Sequence, residues 1–191
     1  MWSYEQRNTR TERLQLLGGY QKWIQHYIDD GWSPYLISFM FHQLPGNQSS
    51  IIRQMKREIE RVYSRLPTQF DRNPRSRAGS QRIPVMILFP DFPVFKWAKK
   101  SIEEVSCNDG LHYGGIALTP PISRFQSTLD LHFEQHQDEY VTDKLARIHV
   151  VPITTNATYV MDYVAKSCKR GRVSDEDIVI LPKAPSELPS K

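Results

Sequence analysis

Residues 83–89 read Ile-Pro-Val-Met-Ile-Leu-Phe, the most continuous apolar run in a chain of 191 residues. Closed by Pro90-Asp91-Phe92-Pro93, this run predicts a central β-strand. A second central strand is predicted at Leu111–Leu118, between the turn Cys107-Asn108-Asp109-Gly110 and the stop Thr119-Pro120-Pro121. Its adjacent glycines, Gly114 and Gly115, give up packing and order, which points to a bulge or to a close approach by backbone or ligand. Between these strands, Val94–Glu104 reads as a short helix.

On the N-terminal side, Leu14, Leu17, Tyr20, Ile24, Tyr27 and Ile28 recur at three- and four-residue steps, so Glu12–Asp30 predicts a helix that Gly18 and Gly19 could bend. Gly31 ends it. Tyr35–His42 is β-branched and aromatic and predicts a strand stopped by Leu44-Pro45-Gly46. Asn47 can cap a second helix whose apolar stripe is Ile52, Met55, Ile59 and Val62. Thr68–Gln81, rich in Arg, Asn, Pro, Gly and Ser, reads as an exposed loop. Towards the C-terminus, Ser123–Glu139 predicts a helix and Arg147–Ile153 a strand with His149 and Val151 on one face and Ile148 and Val150 on the other. Asn156 can cap a last helix running to about Cys168, ended by Lys169-Arg170-Gly171.

The order α-β-α-β-(α)-β-α-β-α predicts an α+β domain of two layers, a central antiparallel sheet with helices packed mainly on one side. A βαβ dinucleotide fold is the rival, but no glycine fingerprint joins a strand to a helix, which argues against a nucleotide cofactor. Residues 1–180 are expected to form one domain, and 181–191, with three prolines, a loose tail.

Lys and Arg number 25 against 21 Asp and Glu, a formal charge of +4 and a pI near 9.1. The bases cluster at Arg7–Arg13, Arg53–Arg65, Arg72–Arg82 and Lys166–Arg172, an uneven field suited to a polyanion. The two cysteines form no metal motif, no signal peptide is evident and no run is long enough to span a membrane. The expected setting is cytoplasmic or nucleoid-associated, with reduced thiols.

The most specific local pattern lies on the last helix. Tyr159, Tyr163, Lys166 and Arg170 follow steps of four, three and four, which places them along one helical face. Two phenols and two cations so arranged can hold a phosphate, and a phenol beside a lysine can act as a nucleophile. The alternative is packing, with Lys166 and Arg170 merely complementing the helix C-terminus. His112, on a central strand, is a candidate metal ligand or a hydrogen-bonded wall residue. Asp91, Glu103 and Glu104 are the carboxylates that could join it, and Mg2+ or Mn2+ would suit that oxygen-rich set.

These stretches resemble the relaxase and rolling-circle replication initiator superfamily, the HUH endonucleases. Tyr35–Gly46 is similar to its first strand, Leu111–Leu118 to its metal-motif strand, and Ile148–Lys169 to its last strand and nucleophile helix. The resemblance implies that Tyr163, in Tyr163-Val164-Ala165-Lys166, attacks a single-stranded DNA phosphate and keeps the 5′ end, that Lys166 assists, and that Tyr159 is a second nucleophile or a stacking residue. It makes His112 the first metal histidine. It further implies a partner that is single-stranded DNA or an origin-like hairpin, stacked on Tyr113 or Tyr159, with phosphates met by Lys169 and Arg170 and by loop arginines Arg72, Arg75 and Arg77.

The chain departs from the family at Gly114, where a second metal histidine belongs. Three readings follow: another residue completes the site, metal binding is weak, or the chain keeps DNA binding without catalysis. A noncatalytic nucleic-acid-binding domain and a protein-interaction domain using the Ile52/Met55/Ile59/Val62 stripe stand as rival functions.

Overall fold

The computed structural model describes residues 4–91 and 110–183. The chain opens with α1 (Tyr4–Asp29), β1 (Ser33–Phe41), α2 (Gln48–Arg65) and α3 (Pro67–Phe70). A 3-10 turn at Gly79–Gln81 leads into β2 (Val85–Asp91), and β3 (His112–Thr119) follows. Then come α4 (Leu129–Gln135), α5 (Gln137–Tyr140), β4 (Leu145–Pro152), α6 (Ala157–Val164), α7 (Lys166–Lys169), a 3-10 turn at Asp175–Asp177 and β5 (Val179–Leu181). The five strands form one sheet in the order β4-β1-β3-β2-β5, every neighbour pair antiparallel. The α+β class and the antiparallel sheet expected from the sequence are therefore found, with helices packed on both faces of the sheet rather than mainly on one.

Period-two alternation assigns each strand residue to a face. Tyr35, Ile37, Phe39 and Phe41 of β1 face the larger core, together with Met86, Leu88, Tyr113 and Ala117. The stripe Ile52, Met55, Ile59 and Val62 of α2 closes over them, and each of these side chains is 5% exposed or less. Burial of a side chain of that size is worth about 1.5–3 kcal/mol, so the stripe is core and offers no surface for a partner. Asn47 caps α2 by accepting the Ser50 N–H at 3.0 Å. A smaller core lies on the other face of the sheet, where Leu17 and Ile24 of α1 and Met161 and Val164 of α6 meet Val85, Ile87, Phe89, Ile116 and Leu118. β2 is buried on both faces, which is why its sequence is continuously apolar.

Several local expectations are refined. α1 runs unbroken through Gly18 and Gly19, because the anchoring contacts of Leu17 and Ile24 lie on either side of the pair. It ends at Gly31, whose φ of 85° lets the Trp32 N–H reach back to the Tyr27 carbonyl at 3.0 Å. Helix is absent from residues 123–128. There Phe125 stacks on Phe70 at 4.2 Å between ring centroids and Arg124 donates to the Thr68 carbonyl at 2.6 Å, tertiary contacts that override the local periodicity. Residues 179–181 form a fifth strand on β2, with Leu181 opposite Met86 and 3% exposed, so ordered pairing extends one residue past the expected boundary. The helix expected at Val94–Glu104 and residues 184–191 of the expected tail lie outside the described residues.

Both sheet edges are guarded. The backbone N–H of Ile148 on outer strand β4 donates to the Gln137 side-chain oxygen at 2.6 Å, and β5 is three residues long with Pro182 directly after it.

Candidate functional site

The β2–β3 register places Asp91 opposite His112 and Phe89 opposite Gly114. Paired residues share a face, so Asp91 and His112 project to the side that α6 and α7 cover. Gly114 leaves room there: a Cβ at that position would meet only Val164 Cγ1, at 4.0 Å. Gly115 differs. A Cβ on it would fall 2.0 Å from the Ile87 carbonyl oxygen, so the close approach anticipated from the glycine pair belongs to Gly115 and involves backbone. The β3 pairing runs through both glycines without a bulge.

Asn156 starts α6 by accepting the Tyr159 N–H at 3.0 Å. The helix stops at Val164, and Ala165 at φ −82°, ψ 4° turns the chain into α7. That break carries Lys166 and Ser167 down onto the end of β2. Lys166 Nζ lies 2.6 Å from Asp91 Oδ2, and the Ser167 hydroxyl donates to Asp91 Oδ1 at 2.6 Å. Both carboxylate oxygens are thus engaged. The Asp91 side chain is 8% exposed, a position where an ionised carboxylate is tolerated only with a counter-ion and hydrogen bonds. Removing one partner of such a buried pair costs about 3–5 kcal/mol.

The same ammonium stands over the Tyr163 ring, 4.4 Å from its centroid. Tyr163 is 57% exposed and Tyr159 70%, so the two phenols are open to solvent on one side of α6. His112 completes the cluster. Its Nδ1 lies 2.9 Å from the Gly110 carbonyl oxygen, which can only accept, so Nδ1 carries the hydrogen and in the neutral ring Nε2 is the lone-pair nitrogen. Nε2 is 3.8 Å from Asp91 Oδ2, too far for a hydrogen bond. Four of the residues singled out in the sequence, Asp91, His112, Tyr163 and Lys166, are therefore linked in one chain of contacts.

A Mg2+ or Mn2+ site does not fit the donors described. They amount to one imidazole nitrogen and one carboxylate whose oxygens are both taken, and no group of three metal-ligating residues occurs among the described residues. A divalent ion seated on Asp91 would have to displace the Lys166 ammonium or be repelled by it. Glu103 and Glu104 lie outside the described residues.

Other expected positions are corrected. Tyr113 cannot stack on a base: it is fully buried in the larger core, its hydroxyl donates to the Asp177 carbonyl at 2.8 Å, and burial pushes its phenol far above the ordinary range. The cause is strand alternation, which turns Tyr113 away from His112. Lys169 is paired with Asp162 at 2.6 Å and Asp162 also accepts from Gln21, while Arg170 is exposed. Arg72, Arg75 and Arg77 are exposed but precede Val85, at the far end of β2 from Asp91. Six strand steps separate the two ends by about 20 Å. Of the three, Arg72 lines a separate cleft of about 380 Å3 together with Phe70, Arg82 and Arg124.

Two features escaped the sequence reading. Ser167 gave no signal, because a serine in a helix pattern is ordinary. The second is a polar row on the open half of the sheet. The register sets Arg147, Met40 and His112 side by side across β4, β1 and β3, and likewise His149, Ser38 and Gly114. Arg147 and His149 are exposed, and their alternation with Ile148 and Val150 is the one trace of this row in the sequence.

Comparison of the chain with protein-family models, with curated proteins and with solved structures finds no match. No helix among the described residues is long and apolar enough to cross a membrane.

Proposed function

We propose that the chain is a single-stranded DNA nicking and joining endonuclease of the rolling-circle initiator and relaxase type, with Tyr163 as the nucleophile. The observation that carries this reading is the position of Lys166, whose ammonium reaches the buried Asp91 at 2.6 Å and the exposed Tyr163 ring at 4.4 Å. A phenol is a weak nucleophile at neutral pH, and a cation beside it stabilises the charge that develops as it attacks.

In the reaction, Tyr163 Oη bonds to phosphorus as the P–O3′ bond breaks. The phenol proton ends on the departing 3′-oxygen, leaving a free 3′-hydroxyl and a 5′-phosphotyrosine. The step is a transesterification that consumes no water and is reversible by the same 3′-hydroxyl, which accounts for joining. The strand would run over the open β1–β4 half of the sheet, its phosphates met by Arg147 and Arg170 and a base stacked on Tyr159.

The test is incubation with a labelled random-sequence single-stranded DNA pool in Mn2+, followed by denaturing electrophoresis. A covalent protein–DNA adduct that disappears in Tyr163→Phe is the expected result. Salt-sensitive binding without an adduct, from a pool enriched for tight binders, would replace the proposal with the noncatalytic nucleic-acid-binding reading.

A further inference from the structure

We infer that Lys166 is the resident cation of this site, standing at Asp91 where a divalent ion would otherwise bind, so that phosphoryl transfer here runs on a lysine ammonium without a bound metal. The inference rests on the proposed nicking reaction for its catalytic half, while its structural half stands on the contacts alone.

Asp91 Oδ2 lies within 3.8 Å of His112 Nε2, a spacing two ligands of one ion can share. Lys166 Nζ already occupies that oxygen at 2.6 Å, and Ser167 holds the other one. Among the described residues the Asp91 carboxylate and the Lys166 ammonium cancel, so this pair needs no further positive charge in its partly buried position. A dication would have to displace the ammonium or sit against it. Gly114, on the same face, supplies no third donor.

The ammonium is also placed to act. It has three hydrogens and spends one on Asp91, which leaves two for the non-bridging oxygens of a phosphate drawn up to Tyr163. A bound metal would offer that phosphate a larger charge. Lysine offers a smaller one that is permanently in position, because Asp91 and the α6–α7 break fix its direction.

Two measurements test this. In the first, Mn2+ binding is followed by electron paramagnetic resonance of the free ion, for wild type, His112→Ala, Lys166→Met and Lys166→Met/His112→Ala. Wild type and His112→Ala are expected to be alike, and Lys166→Met is expected to bind Mn2+ about tenfold more tightly or better, since the repelling ammonium is gone. The double variant should lose that gain. Wild-type binding that His112→Ala abolishes would overturn the inference, and this comparison holds even if Lys166→Met does not fold.

The second measurement repeats the adduct assay with excess EDTA in place of Mn2+. A Tyr163 adduct of undiminished yield in EDTA is expected, and Lys166→Arg, which keeps the cation, should retain more adduct than Lys166→Met. An adduct that forms only with Mn2+ would overturn lysine-based catalysis. No adduct in either condition would overturn the nicking reaction itself, with the Mn2+ titration still deciding which cation the site holds.

Discussion

Replacing Gly115 with alanine should split the sheet at its centre. The new Cβ would sit 2.0 Å from the Ile87 carbonyl oxygen and 2.7 Å from Leu88 Cα, whereas real Cβ contacts are essentially never shorter than 3.0 Å. Both obstacles are backbone, so no rotamer can relieve them, and β2 must withdraw by about 1 Å from β3. Gly115 pairs with Leu88 in the register, and a shift of that size loosens about two ladder hydrogen bonds in a region with no access to water. Buried groups left unsatisfied cost about 1–3 kcal/mol each, and the stiffer unfolded chain returns less than about 1 kcal/mol. The net loss is about 3 kcal/mol, which in a domain of this size lowers Tm by about 10 °C. Gly114→Ala is the matched control. Its methyl would rest 4.0 Å from Val164 Cγ1, an ordinary contact, and the reduced freedom of the unfolded chain should stabilise by about 0.4–1 kcal/mol. Thermal and urea unfolding followed by circular dichroism give both numbers. A Gly115→Ala protein that melts with the wild type, or a Gly114→Ala protein equally damaged, would refute the backbone argument.

Three further outcomes are expected. Tyr113→Phe should cost about 1–2 kcal/mol in urea denaturation, through the bond lost to the Asp177 carbonyl; an unchanged urea midpoint would show that the hydroxyl contributes nothing there. Burial, then the hydrogen bond to Asp175, pushes the Cys168 thiol up to about 12, so in a Cys107→Ser background the native protein should resist a disulfide reagent at pH 8 and react on unfolding. His132 is held below its ordinary value by burial first and by His136 second. The unfolded chain therefore binds the extra proton as pH falls through about 6.5 while the fold does not, so stability should decline below that pH. In His132→Gln the urea midpoint should fall less between pH 7.5 and 5.5; an equal fall would place the titration elsewhere.

Strand and helix periodicities reported this fold well where a single face decides the environment. The stripe from Ile52 to Val62, the alternation of Arg147 to Val151 and the caps at Asn47 and Asn156 are local facts that the packing keeps. Residues 123–128 show the opposite case, an apolar spacing compatible with helix that the Phe70–Phe125 stack pulls into an extended path. In the site, Tyr163 and Lys166 were legible because they lie three residues apart, although the continuous helix expected to Cys168 breaks at Ala165 and it is that break which brings Lys166 to Asp91. The meeting of Asp91 and His112 depends on a strand register that no local pattern encodes, and Tyr113 was misplaced because sequence proximity to His112 says nothing about which face a neighbour takes. The end-to-end length of β2 likewise separates the loop arginines from the Asp91–Lys166 cluster, although both looked like parts of one basic field.

The glutamine that receives the Ile148 amide has a consequence for behaviour at high concentration. An outer strand with free amides is a template on which another molecule's strand can zip. Gln137 offers the oxygen that such an intruder would have supplied, and the brief β5 ends at Pro182, which has no N–H to extend the ladder. Copies of the chain are in this way kept from joining edge to edge.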